Sequence, residues 1–278
     1  MSNSLSDPTA TQAVAAEVLY CQAGAGLQSK ADSLAQEEPL EIRVRGRSIA
    51  VTMRTPGNDR ELAAGFLFTE SIVAQPADIV EIAPCQQSDN PQNVLNVFLA
   101  PGVDVDLGRL TRHVFASSSC GVCGKASIDA VRQNFAPVQS DLMLTSDLLL
   151  QLPGRMRAAQ RTFAQTGGLH AAALFDSQGL LLRLHEDIGR HNAVDKVIGE
   201  SFIKRELPLA RNVLLVSGRA SFEIMQKALA AGIPLVCAVS APSSLAVEFA
   251  KESGQTLVGF LRAQSMNVYS HPNRITPI

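Results

Sequence analysis

A chain of 278 residues, 46% hydrophobic and 18% charged, has the make-up of an ordinary globular protein with enough material for one large core or two smaller ones. Its 24 basic residues stand against 26 acidic ones, which argues against a nucleic-acid-coating role, and no apolar run is long enough to cross a bilayer. Five cysteines, three of them scattered (Cys21, Cys85, Cys237), do not make a secreted disulfide framework. The N-terminus also lacks the basic start and apolar centre of a signal peptide, so a cytoplasmic location with reduced thiols follows, with no nucleic acid and no membrane as partners.

Residues 1–38, rich in Ala, Ser, Gln and Glu without sustained periodicity, read as a flexible arm. Residues 39–135 read as a β-rich mixed unit. Leu40, Ile42 and Val44 alternate up to Gly46, and Ile49, Val51 and Met53 alternate beyond it, which predicts a hairpin. Pro56-Gly57 makes a turn, and Asn58 with Glu61 three residues on predicts a capping box opening a helix whose inner face carries Leu62, Ala63 and Phe66. Ile79–Ile82 and Val94–Leu99 read as strands. Helices are predicted over 104–114 and 125–131, either side of a loop.

Residues 136–278 read as an α/β unit. A helix is predicted over 148–165, stopped at Gly167-Gly168. Strands at 170–175 and 180–184 are joined by the turn Asp176-Ser177-Gln178-Gly179. From there helices and strands alternate: a helix with Val194, Val197, Ile198 and Phe202 on one side, a strand at 213–216, and a helix with Phe222, Met225 and Leu229 ending at Gly232. A doubly buried strand at 234–239, a helix over 243–253 ending at Gly254, and a last strand at 256–260 complete it. Three βα alternations after a hairpin imply a layered α/β sheet, parallel over its later strands.

The chemistry-bearing stretch is Ser119-Cys120-Gly121-Val122-Cys123-Gly124-Lys125. Two thiols two residues apart, flanked by glycines, can hold a metal, form a reversible disulfide or carry sulfur as a persulfide. A zinc site needs two more ligands, and no second Cys-x-x-Cys exists. A phosphate loop fails too, because Ser119 stands where its first glycine belongs and Ala126 where its hydroxyl residue belongs. Cys21, Cys85 and Cys237 read as structural or incidental, Cys237 as a packed hydrophobe.

In a sheet of this kind ligands bind beyond the carboxyl ends of the strands. The polar segments gather there: His185-Glu186-Asp187-Ile188-Gly189-Arg190-His191-Asn192, then Ser217-Gly218-Arg219-Ala220-Ser221, then Ser240 to Ser244. Free amides at helix starts, hydroxyls and Arg190, Arg219 and Arg262 on one edge favour a phosphate, and Asp187 or Glu186 is placed to accept from a base or ribose. The plainer account is that Ser221 and Ser243 are N-caps. His185 and His191 are candidates for acid-base work or for surface capping.

Six segments taken together resemble the FdhD/NarQ family of formate dehydrogenase accessory proteins: Met53 to Gly57, Cys120 to Gly124, Thr166 to Ala172, His185 to Lys196, Ser217 to Glu223, and Leu257 to Phe260. They run in order from about residue 38 to the end. The resemblance implies a cytidine-deaminase-like three-layer sheet for residues 136–278 and a homodimer. It also implies a carrier that takes persulfide sulfur from a cysteine desulfurase. The sulfur passes to molybdenum in the bis-molybdopterin guanine dinucleotide cofactor, bound as a substrate, before formate dehydrogenase receives it. No tightly bound metal of the protein's own is implied, and GDP-like nucleotides become natural mimics of the substrate. Cys120 is then the persulfide-bearing thiol and Cys123 its helper. The family's cofactor contact falls on Phe260-Leu261-Arg262-Ala263-Gln264-Ser265, although Ala263-Gln264-Ser265 lacks the glycine and second basic residue of some relatives. His185, Asp187, Arg190, Ser217, Gly218 and Arg219 stand as the nucleotide-holding loops. A zinc deaminase is not expected whatever the fold, since His170-Ala171-Ala172 has no glutamate and Ser119 replaces the proline before Cys120. A passive cofactor chaperone and a zinc or redox Cys-x-x-Cys protein are the alternative classes.

Overall fold

The computed structural model describes residues 12–105 and 135–277. It is a mixed α/β fold with three hydrophobic cores.

The first surprise is β1 (Ala13–Gln22) and β2 (Gly26–Ala35), an antiparallel hairpin where the composition predicts an arm without regular structure. Most side chains on it are exposed, including Leu19 and Leu27, and none is buried. With no face buried, the pair never needs the alternation of apolar and polar residues by which strands are recognised.

The next hairpin follows the sequence closely. β3 (Glu38–Val44) and β4 (Arg47–Arg54) are joined by Arg45 and Gly46, both at positive φ, as a two-residue turn matched to strand twist requires. Leu40, Ile42 and Val44 point inward and are fully buried. β5 (Ile79–Pro84) and β6 (Val94–Leu99) complete a sheet in the order β4-β3-β6-β5, with β6 parallel to β3.

Helix α1 (Asp59–Thr69) packs on this sheet through Leu62, Ala63 and Leu67. Phe66, predicted for the inner face, is only partly buried at the edge of that core. The predicted capping box is absent: Asn58 sits in the left-handed region (φ 54°) and its side chain caps nothing. The turn before it is held instead by Arg54, 1% exposed, which bonds both carboxylate oxygens of Asp59 at 3.0 Å and also reaches Glu38 and Asn93. The helices predicted over 104–114 and 125–131 fall almost entirely outside the described residues; Asp104 and Val105, which are described, are not helical.

The second sheet has six strands in the order β13-β12-β11-β10-β8-β9. β8 (His170–Phe175) and β9 (Leu181–Asp187) form the predicted hairpin, and β10 (Val213–Val216), β11 (Leu235–Ala238) and β12 (Thr256–Gly259) run parallel. β12 is not the last strand, because β13 (Asn267–Ser270) turns back antiparallel beside it. A short β14 (Ile275–Thr276) pairs with β7 (Leu144–Thr145).

Alternate residues of β8 serve opposite faces. Ala172 and Leu174 face α4 (Arg190–Ile203), α5 (Phe222–Ala230) and α6 (Ser244–Glu252), while Ala171, Ala173 and Phe175 face α2 (Ser146–Ala159). The single helix predicted over 148–165 is in fact two, α2 and α3 (Arg161–Thr166), broken at Gln160. Glu186 causes the break: its carboxylate accepts from the amides of Thr162 and Phe163 at 2.9 and 2.8 Å, capping a fresh N-terminus from the neighbouring strand. Gly167, at φ 65°, then ends α3 as the sequence predicts.

Candidate functional site

The register of the second sheet brings the polar segments to one edge. β8 runs opposite to β10, so His170 begins where Val216 ends, and Asp187 pairs with His170 across the β8–β9 hairpin. The chain leaving β10 is tied back to β8, with Ala171 N donating to Ser217 Oγ at 2.8 Å and Ser217 N to Ala171 O at 2.9 Å. Phe260 N reaches Ser240 O at 3.1 Å, which puts the exits of β11 and β12 on the same edge. The strand-end placement read from the sequence is therefore correct for Ser217, Gly218, Arg219, Ser240 and Phe260.

The candidates have different roles within that edge. Asp187 is fully buried and its carboxylate is spent within the protein. Oδ1 accepts from Gly189 N at 2.8 Å and Asn192 Nδ2 at 3.0 Å; Oδ2 accepts from Thr55 N at 3.2 Å and pairs with Lys196 Nζ at 2.7 Å. Thr55 returns the contact through its hydroxyl to Ile188 N and its carbonyl to Lys196. This knot fastens the β4–α1 turn to the second sheet and leaves Asp187 no free lone pair for a base or ribose, contrary to the expectation from sequence. Glu186 is likewise committed, as the cap of α3.

His185 lies within β9 rather than in a loop, with its Nε2 2.8 Å from Glu200 of α4. Glu200 also meets Lys204 and Arg183, and the His185 hydrogen bond foremost holds its carboxyl down at about 2. His185 thus belongs to an ion network on the outer flank. His191 Nε2 is 2.9 Å from Glu223 and 3.2 Å from Ser221 Oγ at the start of α5, so Ser221 occupies the N-cap position without capping through its side chain. Ser243 does cap, accepting from Ala246 N.

A cationic group remains. A Cβ placed on Gly218 would come within 3.3 Å of His170 Nδ1 and 3.8 Å of Arg190 Cδ, so the loop passes close to both side chains. Neither Arg190 nor Arg219 pairs with a carboxylate among the described residues, and Arg190 Nε is buried without a hydrogen bond. Burial first, then the charges of Arg190, His191 and Arg219, pull the His170 pKa below the ordinary imidazole value. Unpaired guanidiniums around a partly buried imidazole attract an anion such as a phosphate.

Next to this group, under α2 and α3, lies a cavity of about 560 Å³ whose wall includes Met156, Arg157, Gln160, Phe163, His170 and Ser217. The sequence analysis missed Arg157, Gln160 and Phe163. Their three-residue spacing beside Gly167-Gly168 was the one available signal, and it was hidden by reading one continuous helix.

The segment 260–265 leaves the edge as a turn. Leu261 is buried in the core, Phe260 is at φ 50° and about a third exposed, and Arg262, Ala263, Gln264 and Ser265 are exposed, with Arg262 N bonded to Ser265 O. Cys120 and Cys123 lie outside the described residues. Of the isolated thiols, Cys237 is sealed in β11, where burial pushes its pKa up and keeps it a thiol; Cys85 is buried and Cys21 is exposed on the first hairpin. Among the described residues no group of three His, Cys, Asp or Glu side chains could hold a metal ion, and no helix is long and apolar enough to cross a membrane.

Comparison with known proteins adds a family to this geometry. Residues 35–276 match the model of the FdhD/NarQ family. The chain is 53% identical over 256 residues to the sulfur carrier protein FdhD of Streptomyces coelicolor, covering 90% of this chain and 91% of that one. It is 55% identical over 260 residues to the sulfur carrier protein FdhD of Mycobacterium tuberculosis, covering 89% and 93%. The same name attaches to a Sulfolobus acidocaldarius protein 45% identical over 247 residues, covering 89% and 92%. A crystal structure from Desulfotalea psychrophila, described as a formate dehydrogenase accessory protein, superposes with a TM-score of 0.74 at 27% identity. It covers 95% of this chain and all of that one.

Proposed function

The chain belongs to the FdhD/NarQ family, and on that premise we propose that it is a sulfur carrier serving formate dehydrogenase. It accepts persulfide sulfur from a cysteine desulfurase and delivers it to molybdenum in the bis-molybdopterin guanine dinucleotide cofactor. The observation that carries the cofactor half of this function is the cationic edge, with Arg190 and Arg219 near His170 and without a carboxylate partner among the described residues. A dinucleotide cofactor brings two pyrophosphates, the chemistry that such an edge holds. Ser217 and the exposed 262–265 turn border the same edge, with Arg262 as a further phosphate contact. Asp187 acts beneath it as a support, and His185 belongs to the ion network of the outer flank.

The sulfur half falls to Cys120 and Cys123. The Cys120 thiolate attacks the outer sulfur of the donor's persulfide; the donor's S–S bond breaks, its cysteine leaves as thiolate, and Cys120 keeps the sulfur as a persulfide. In delivery, Cys123 attacks the inner sulfur of that persulfide, a Cys120–Cys123 disulfide forms, and the carried atom departs with the electron pair as sulfide for the metal. A dithiol reductant then restores both thiols. The protein works as a cytoplasmic homodimer on a cytidine-deaminase-like scaffold, and its sulfurtransfer is a carrier's reaction.

Mass spectrometry after incubation with a desulfurase and cysteine tests this. The expected result is an adduct of about +32 Da on Cys120, together with loss of formate dehydrogenase maturation in Cys120→Ala. An adduct on neither thiol removes the sulfur carrier; full maturation by Cys120→Ala with cofactor binding retained leaves a passive chaperone in its place.

A further inference from the structure

The β1–β2 hairpin stands apart from the larger sheets. Among the described residues no third strand pairs with either of its edges, and its base rests on the body where Ala35 approaches Gly168 just beyond α3. Two strands by themselves are marginal in water, and an open edge offers its amides and carbonyls to another strand. Five large apolar side chains on the hairpin, Val14, Leu19, Tyr20, Leu27 and Leu34, are exposed. Apolar area of this kind on a protruding hairpin marks an interaction surface.

The charges on β2 say what docks there. The register places Lys30 and Asp32 on one face, opposite Val18 and Ala16, with Ala31 between them in the strand. Lys30 lies over the Tyr20 ring, 5.1 Å from its centroid, and Asp32 accepts from Ser33 N at 2.8 Å; both side chains are exposed. Residues directly opposite in an antiparallel pair share a face. If β2 is laid antiparallel to a second copy of itself about a two-fold axis at Ala31, Lys30 therefore stands opposite the partner's Asp32, and Asp32 opposite the partner's Lys30. The neighbouring two-fold registers instead set Lys30 against Lys30 or Asp32 against Asp32, which like charges disfavour. β1 has no such match. Its one charge is Glu17, so pairing β1 with its own copy gathers two carboxylates and no cation.

We infer that β2 pairs antiparallel with β2 of a second copy of this chain, making a four-stranded sheet in the order β1-β2-β2-β1 with Ala31 at the two-fold axis. The inference rests on the homodimer reading above and gives that dimer its contact. The open backbone edge supplies the hydrogen bonds, as in other strand additions. The two Lys30–Asp32 pairs fix the register, and Leu27 comes to lie beside the partner's Ala35.

Sedimentation of the full chain over a dilution series tests the assignment. The wild type is expected to be a dimer. Lys30→Asp sets carboxylates face to face in both pairs, Asp32→Lys sets ammonium groups face to face, and each should weaken the dimer by about tenfold or more. The reciprocal variant with both changes restores the two pairs in reverse and should regain most of that loss. Both side chains are exposed and the reciprocal variant carries both changes, so such a rescue is not a folding effect. A dimer that neither single variant weakens, or a loss that the reciprocal variant does not regain, overturns this interface and leaves the homodimer standing on another contact. A wild type that stays monomeric throughout overturns the interface and the homodimer together.

Discussion

Gly65 of α1 and Gly199 of α4 face each other where the two helices cross. A Cβ on Gly199 would stand 2.6 Å from Gly65 N and overlap the Glu61 carbonyl oxygen, and one on Gly65 would overlap the Asp195 carbonyl oxygen. The obstructing atoms are backbone, so neither helix can yield by turning a side chain. Gly199→Ala is therefore expected to push the helices apart and cost about 1–3 kcal/mol in urea unfolding. The double change with Gly65→Ala should cost less than the sum, since the first methyl has already opened the crossing. Full additivity would mean that the two glycines do not share one contact.

The same helices enclose an ion pair. Lys227 Nζ of α5 lies 2.9 Å from both carboxylate oxygens of Asp195 and 2.9 Å from Thr69 Oγ1, all buried. Lys227→Met leaves Asp195 charged without a cation and is expected to cost about 3–5 kcal/mol. Replacing both, as Lys227→Met with Asp195→Leu, should recover a large part of that loss in the same denaturant titration. A double variant as unstable as the single one would show that packing, and not the stranded charge, sets the cost.

The parts of the fold that were legible in the sequence are those in which burial writes a local pattern. Leu40, Ile42 and Val44 alternate because one face of β3 is covered, and Leu235 to Ala238 are apolar throughout because both faces of β11 are. The β1–β2 hairpin was not legible, having no buried face to record. Neither was the helix break at Gln160, which depends on a carboxylate 24 residues away on another strand. The site divides in the same manner. Which loops meet at the sheet edge followed from the alternation of elements, so the loop of Ser217, Gly218 and Arg219 could be placed there from the sequence. What Asp187 does there depends on Thr55, 132 residues distant in the chain, and no local pattern carries that contact.

Glu200 gives a signed pH dependence. Hydrogen bonding from His185 first, then from Lys204, holds its carboxyl at about 2, below the ordinary 4.5 of a glutamate. The stabilisation is present above 4.5 and disappears as pH falls toward 2, because the unfolded chain takes up a proton there that the folded one refuses. The thermal midpoint of the wild type should thus drop more steeply across that window than that of Glu200→Gln. Parallel curves for the two proteins would show that the network gives Glu200 no differential stabilisation.

His170 reports on the cationic edge directly. Burial, then Arg190, His191 and Arg219, lower its pKa from 6.5, and Asp187 offsets this in part. In the free protein the neutral ring is favoured, and stability is lost as pH falls below 6.5, because the unfolded chain protonates first. A diphosphate bound between Arg190 and Arg219 reverses the local field and favours the imidazolium. The His170 ring resonances, followed by NMR across pH 5–8, should titrate at a higher pH with saturating pyrophosphate than without it. Arg219→Ala should raise the midpoint in the free protein and weaken the pyrophosphate effect. A midpoint that neither pyrophosphate nor Arg219→Ala moves would mean that the anion binds away from this edge, and the nucleotide site built on Arg190, Gly218 and Arg219 would have to be abandoned.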